Sequence, residues 1–364
     1  MTRPLVLVAA GGTGGHLFPA ESLSVALRKR GIEVALATDT RAEKFGEHFP
    51  SVHVIPSATF RGRDPLSLAR TLAALGAGTV KAFAMLGRVR PAVVVGFGGY
   101  PSVPPVFTAT LRKIPTVIHE QNGVMGRANR FLAPRVTAIA TGFAGLSFSD
   151  PKLAAKATHT GNPVRPAVIA AARPYAMSRG NDEFRLLVFG GSQGARVMAD
   201  IVPEAVERLE PHLQMRLKVV QQARTEDIER VRRIYARAGV EAVIAPFFAD
   251  LPARMAESHL VVSRSGASTV AELAAVGRPA ILVPLPHALD QDQAANAGFL
   301  EQAGGAIAIR QQDFTPDRLA AELAALAADP ERLAAMAQGA SGLAVPDAAE
   351  RLADLVLRAA GTAS

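Results

Sequence analysis

The chain has 364 residues and is 49% hydrophobic, enough for two domains each with its own core. It contains no Cys, no Trp and only 5% aromatic residues, which excludes a disulfide framework and thiolate metal sites and fits a reducing compartment. A formal charge of +8 leaves nucleic acid, anionic lipid, a phosphorylated substrate or a plain solvated basic surface as its reason.

Leu5–Ala10 is an apolar run too short for a signal segment, and it leads directly into Gly11-Gly12-Thr13-Gly14-Gly15-His16; it reads as a buried strand. The pattern predicts a helix over Phe18–Arg30, with a basic last turn and Gly31 beyond it. Ile32–Thr38 is a strand ending at Asp39. Residues 60 to 90 mix Arg61, Arg63, Arg70, Lys81, Arg88 and Arg90 with Leu66, Leu68, Leu72, Leu75, Phe83 and Leu86. That stretch reads either as a helix on an anionic membrane surface or as a core helix with solvated cations. Ala92–Gly96 is a short strand followed by a second glycine loop, Gly96 to Ser102. Thr116–His119 is another, with His119-Glu120-Gln121-Asn122 at its C-terminal edge.

Thr160-Gly161-Asn162-Pro163-Val164-Arg165-Pro166 breaks both periodicities and is the best domain boundary. Beyond it, Leu186–Phe189, Leu217–Val220, Ala242–Ala245, Leu260–Ser263 and Ala280–Val283 read as strands with helical segments between them. The tail from about Asp347 to Ala360 is an amphipathic helix. No window reaches the ~18 uninterrupted apolar residues of a spanning helix, so the expectation is a protein that is soluble or at most attached to a membrane.

The chain repeats one phrase. LVLVAAGGTGGH (5–16) lies over RLLVFGGSQGAR (185–196), with Gly11 on Gly190, an offset of 179. Each copy is an apolar run, a glycine turn and a helical pattern, the order of a parallel strand feeding a helix N-terminus that favours an anion. Strands alternating with helices in both halves predict an α/β protein with two doubly wound parallel-sheet domains facing a cleft. Neither dinucleotide nor P-loop fingerprint fits these loops. Glycine loops at strand C-termini nevertheless suit close approach by phosphates.

The segment from Ser263 to Glu272 places Arg264, Ala267, Ser268 and Thr269 at a helix start and Glu272 about one turn in, where a carboxylate can reach a diol such as a ribose. His119 to Asn122 can bond a sugar or line a solvated loop. His16 ends the first glycine loop and is a candidate general base, since histidine titrates near working pH. Asp290 and Asp292 form a D-x-D that invites a metal. They are read here as helix-opening acids, and no metal or other cofactor is expected.

These motifs, in this order, closely resemble one family: the peptidoglycan glycosyltransferase that adds N-acetylglucosamine to lipid I to give lipid II, the MurG family. The resemblance runs through GGTGGHLFPA, VGFGGYPS, HEQNGVMGRAN, TGNPVR, FGGSQGA, SRSGASTVAEL and the Asp290, Gln293, Asn296 series. It implies a GT-B fold of two Rossmann-like domains, with a C-terminal helix returning to the first. Residues 1–162 with 346–364 would be the acceptor and membrane-associating domain, and 163–345 the donor domain.

By motif match, Phe248 would meet uracil through its backbone and Glu272 the ribose. Arg264, Ser192 and Ala267 to Thr269 would hold the diphosphate, and Gln293 the sugar. Thr13, Gly14, Gly15, Asn122 and Arg165 would complete the donor site. Gly98, Gly99 and Tyr100 would receive the acceptor diphosphate. His16 is the first candidate base and Glu120 the second for an inverting attack by the C4 hydroxyl of the muramoyl sugar. Two departures stand out: Asp292 occupies a position where some members carry Gln, and without Trp any membrane anchoring rests on Leu and Phe.

The implied partners are UDP-GlcNAc, lipid I and an anionic membrane surface, with no nucleic acid. The implied place is the cytoplasmic face of the bacterial inner membrane. A GT-B enzyme with another acceptor, a UDP-sugar sensor and a UDP-GlcNAc 2-epimerase are the alternatives.

Overall fold

The computed structural model describes residues 4–11, 14–40, 49–57, 65–191, 194–286 and 291–361, with the side chains of 65–72 outside the description. The chain divides into two compact units, Met1–Arg165 with Val345–Ser364, and Pro166–Ala344.

In the first unit the strands are β1 (Leu5–Ala9), β2 (Glu33–Thr38), β3 (Val52–Val54), β4 (Val93–Gly96), β5 (Thr116–Glu120), β6 (Ala138–Thr141) and β7 (Ala157–His159). They form a seven-stranded sheet in the order β3-β2-β1-β4-β5-β6-β7, and every pair is parallel. The strands are apolar on both faces because both faces are covered. Val6 and Val8 pack with Leu17, Leu23 and Leu27 of the helix Gly14–Lys29. Leu7 and Ala9 pack on the opposite side with Met85, Leu86 and Val106. Leu352, Leu355 and Val356 of the helix Ala348–Ala359 join the first of these layers, so the end of the chain completes the core of the first unit. Arg30 pairs there with Glu350 and Asp354.

The second unit carries β8 (Phe184–Phe189), β9 (Leu217–Gln222), β10 (Glu241–Ala245), β11 (Leu260–Ser263), β12 (Ala280–Leu282) and β13 (Ala306–Ala308), all parallel, in the order β10-β9-β8-β11-β12-β13. In each sheet the chain starts in the middle, runs to one edge, and crosses back to the other side of the first strand. The strand order therefore reverses at β1/β4 and at β8/β11, and ligands of open α/β sheets bind beyond the strand ends at such reversals. The glycine loops follow β1, β4 and β8, and the Ser263-to-Glu272 motif follows β11.

Two boundaries differ from the sequence reading in ways that matter for the site. The first helix begins at Gly14 rather than Phe18, which puts Gly14, Gly15 and His16 in its first turn. β5 runs through Glu120, so His119 and Glu120 are strand residues, 0% and 1% exposed, and the solvated-loop reading fails for both. The short strands β3, β6, β7 and β13 carry three or four residues each, too few for an alternation to show in sequence.

The basic-apolar stretch forms the helix Pro65–Val89. Its apolar residues do not share one face: Leu86 is buried in the core and Phe83 is 52% exposed. Arg61 and Arg63, and the side chains of Leu66, Leu68, Arg70 and Leu72, lie outside the description.

Candidate functional sites at the strand ends

In the first unit the edge is built on the turn after β4. Gly98 and Gly99 take φ of 79° and 69°, which a residue with a Cβ adopts only with strain. A Cβ on Gly99 would stand 3.2 Å from His16 Cδ2 and 3.3 Å from its Nε2, so the imidazole lies against this turn. A Cβ on Gly98 would stand 3.4 Å from Asn129 Nδ2 and 3.5 Å from His16 Cε1. His16, Gly98, Gly99 and Asn129 are thus brought together. Tyr100 opens the short turn Tyr100–Ser102, which Ser102 ties back by donating from its Oγ to Gly99 O at 2.9 Å.

Glu120 sits behind this turn. Its Oε1 accepts from Asn122 N at 3.0 Å and Asn122 Nδ2 at 3.2 Å. Its Oε2 accepts from Gly126 N at 2.9 Å and Asn129 Nδ2 at 2.8 Å. Burial raises its pKa above the usual carboxylate value, against the pull of these four donors. The arrangement folds the Gln121-to-Gly126 loop around one carboxylate, which is what a positioning group does. His119 is fixed by the 3.0 Å contact of its Nε2 with Gly161 O, and burial pushes it down to about 4. Arg165 lies over the Phe18 ring at 4.6 Å, beside the first helix. Thr13 lies outside the described residues, Gly14 is buried, Gly15 is exposed and Asn122 is half-buried.

In the second unit the helix Ala267–Val276 starts from Gly266, which has no side chain to cap it. The first-turn N–H groups at Ala267, Ser268 and Thr269 form the electropositive end of the helix. Glu272 lies on the same helix and is 5% exposed. Arg264, 9% exposed, stands just before the helix. Its Nη1 donates to Val283 O at 3.0 Å and Pro284 O at 3.1 Å, and its Nη2 to Gln311 Oε1 at 2.6 Å. Burial pulls its pKa below the ordinary arginine value. The guanidinium thus ties the loops after β11, β12 and β13 together and places its charge behind the helix start.

Gln293 accepts from Leu285 N through Oε1 at 3.0 Å, which leaves its amide N–H groups as the donors for a ligand. Ser265 Oγ donates to Gln293 O at 2.8 Å, and Asn296 Nδ2 to Ser265 O at 3.1 Å, joining the two motifs. Phe248 is half-buried just beyond β10, with the Arg254 guanidinium 4.7 Å over its ring. Ser192 lies outside the described residues.

Asp292 opens the helix Asp292–Gln302 and accepts from Gln293 N at 2.8 Å, as a helix-opening acid does. Asp290 lies outside the described residues. Among the described residues no group of three or more His, Cys, Asp or Glu side chains is placed to hold a metal ion. Asn129 and Gln311 were not singled out from sequence. Asn129 lies inside a quoted motif, one turn after Gly126, but nothing marks Gln311 locally.

The two units match the N-terminal domain of glycosyltransferase family 28 over residues 6–141 and its C-terminal domain over 185–352. The chain is 62% identical, over 98% of its own length and 96% of the relative's, to a protein of Rhodopseudomonas palustris strain BisA53. That relative is named UDP-N-acetylglucosamine–N-acetylmuramyl-(pentapeptide) pyrophosphoryl-undecaprenol N-acetylglucosamine transferase. A protein of the same name from strain BisB18 is 61% identical over 99% of this chain and 97% of the relative. Among solved structures, MurG of Acinetobacter baumannii matches with a TM-score of 0.79 at 28% identity, covering 98% of this chain and 99% of that one. The chain belongs to the MurG family of N-acetylglucosamine transferases, with the two-domain GT-B fold of glycosyltransferase family 28.

Proposed function

We propose that this enzyme transfers N-acetylglucosamine from UDP-GlcNAc to the C4 hydroxyl of the muramoyl sugar of lipid I, with inversion, giving lipid II for peptidoglycan. The observation that carries the reading is the full-length likeness to transferases of that name, and the strand-end chemistry of both units suits it. In the second unit, Pro166–Ala344, the start of the helix Ala267–Val276 and the Arg264 charge meet the diphosphate, Glu272 the ribose diol, the backbone at Phe248 the uracil and the Gln293 amide the sugar. As UDP leaves, negative charge grows on the diphosphate, where N–H dipoles and a fixed cation stabilise it.

The first unit, Met1–Arg165 with Val345–Ser364, takes the acceptor. The Gly98-Gly99-Tyr100 turn receives the lipid-linked diphosphate, and His16, lying on that turn, accepts the proton of the attacking C4 hydroxyl. A positioned base contributes about 10²–10⁴-fold. Glu120, with four donors on its carboxylate, holds the loop carrying Asn122 rather than moving the proton. Thr13, Gly14, Gly15, Asn122 and Arg165 remain the candidate donor-binding residues of the first unit.

We further propose that the enzyme works without a metal, at the cytoplasmic face of the inner membrane, and so supports wall growth, cell shape and division. No helix among the described residues is long and apolar enough to cross a membrane. A peripheral contact has candidates: Val80, Phe83, Leu111 and Phe131 are 72%, 52%, 59% and 47% exposed. The Arg112 guanidinium lies 4.4 Å over Phe83, and that of Arg135 lies 5.0 Å over Phe131. Apolar rings under cations suit an anionic lipid surface.

The test is UDP release from UDP-GlcNAc, with and without a lipid I analogue, in EDTA. Release that requires the analogue and survives EDTA supports the transfer and its independence of metal. Release without any acceptor points to an epimerase or hydrolase, and release restored only by magnesium overturns the metal-free reading.

A further inference from the structure

We propose that Gln222 is a positioning residue for the nucleotide half of the donor; the inference rests on the donor reading above. Gln222 closes β9, the strand between β8 and β10, and is 7% exposed. Its Oε1 accepts from Gly190 N at 3.0 Å, and its Nε2 donates to Pro246 O at 3.2 Å. Gly190 opens the glycine loop after β8 that carries Ser192. Pro246 opens the strip after β10 that leads to Phe248. One side-chain amide therefore ties the loop assigned to the diphosphate to the strip assigned to uracil.

The physical need for it is local. The β8–β9 register ends at Val188 with Gln221, and the β9–β10 register ends at Gln222 with Ala245. Beyond those pairs the main chains diverge into loops, and Gly190 N–H and Pro246 C=O have no ladder partner. A buried peptide group without a partner costs about 1–3 kcal/mol. A primary amide supplies an acceptor and a donor at one end of one side chain, and Gln222 spends one on each loop. Gly190 is also tightly placed: a Cβ on it would stand 2.2 Å from Ala195 N, and Gly191 takes φ of 89°. Gly190 thus has little room to shift, and the Gln222 bond holds its N–H at the end of β8.

The experiment uses the full chain and three variants, Gln222→Ala, Gln222→Glu and Glu272→Ala. Affinity for UDP and for uridine is measured by calorimetry, and donor and acceptor KM by UDP release. Gln222→Ala removes both bonds and is expected to weaken UDP and raise donor KM by about tenfold. Acceptor KM stays as in the unsubstituted chain, and so does kcat. Gln222→Glu keeps an acceptor for Gly190 N–H but cannot donate to Pro246 O, and it adds a negative charge beside the diphosphate. It is expected to weaken UDP more than Gln222→Ala does, while uridine weakens alike in both.

A purely structural role would lower the melting temperature and leave the UDP affinity of the folded protein unchanged. That result, in either variant that melts cooperatively, overturns the proposal, and Gln222→Glu carries the test if Gln222→Ala does not fold. Glu272→Ala separates the two levels. If it weakens UDP while the Gln222 variants do not, only the role of Gln222 falls. If it leaves UDP affinity intact, the donor reading itself falls and takes this proposal with it.

Discussion

Arg264 Nη2 donates a 2.6 Å hydrogen bond to Gln311 Oε1 across 47 residues of sequence. Arg264 is nearly buried, and its three hydrogen bonds go to uncharged oxygens. Its neutral acceptors, Gln311, Val283 O and Pro284 O, decide where the charge stands. Gln311→Leu is expected to strand one guanidinium donor, cost about 1–3 kcal/mol of stability and raise donor KM with little change in acceptor KM. Thermal melts and a KM series check it, and an unshifted donor KM would remove Gln311 from the site.

His16 and Gly99 are expected to fail together. Gly99→Ala forces a Cβ into φ of 69° and to within 3.2 Å of the His16 ring. The backbone strain is about 1–2 kcal/mol, and the displaced imidazole should lower kcat by more than tenfold at unchanged UDP affinity. His16→Ala should lower kcat by about 10²–10⁴-fold. Near-normal turnover of His16→Ala would remove it as the base.

Acid stability tests the buried histidines. His119 and His259 are both held down at about 4, each chiefly by burial; nearby His159 adds to the effect on His119, and Arg185, Arg278 and Arg216 to that on His259. An unfolded histidine titrates near 6.5, so between these values the unfolded chain binds protons that the folded chain does not. Stability is then fully present above about 6.5 and is lost as pH falls through about 4. Melting temperature should fall over that window, and His119→Gln should flatten the acid side of the curve. An unchanged slope in that variant would show that His119 does not contribute.

The membrane reading makes a surface prediction. Arg112→Glu combined with Phe83→Ser should weaken binding to vesicles containing anionic phosphatidylglycerol. Each basic group near such a surface contributes about 1 kcal/mol, so the charge reversal alone should cost more than fivefold in partitioning, less at high salt. Turnover of a soluble acceptor analogue should stay the same. Equal vesicle binding by the variant and the unsubstituted chain would place the membrane contact elsewhere.

The chain by itself determined where the strand-end loops fall. An apolar run, a glycine turn and a helix start are local signals, so the loops after β1, β4, β8 and β11 were legible without partners, and so was a parallel sheet in each half of the chain. The helix Ala348–Ala359 was legible as amphipathic from its stripe, but its site of packing was not contained in that stripe. Tertiary structure decided what the polar side chains touch. Glu120 reads in sequence as a candidate base in a polar loop, and the structure buries its carboxylate at the end of β5 with four donors around it. Leu86 and Phe83 read as one stripe, and the covering of the sheet sends one inward and leaves the other out.

Gln222 and Gln311 carry no local signal. Their partners, Pro246 and Arg264, stand 24 and 47 residues away, and only the order of strands within the sheet brings them into reach. A hydrogen bond acts over about 3 Å of space, and the topology of the sheet sets which residues share that space.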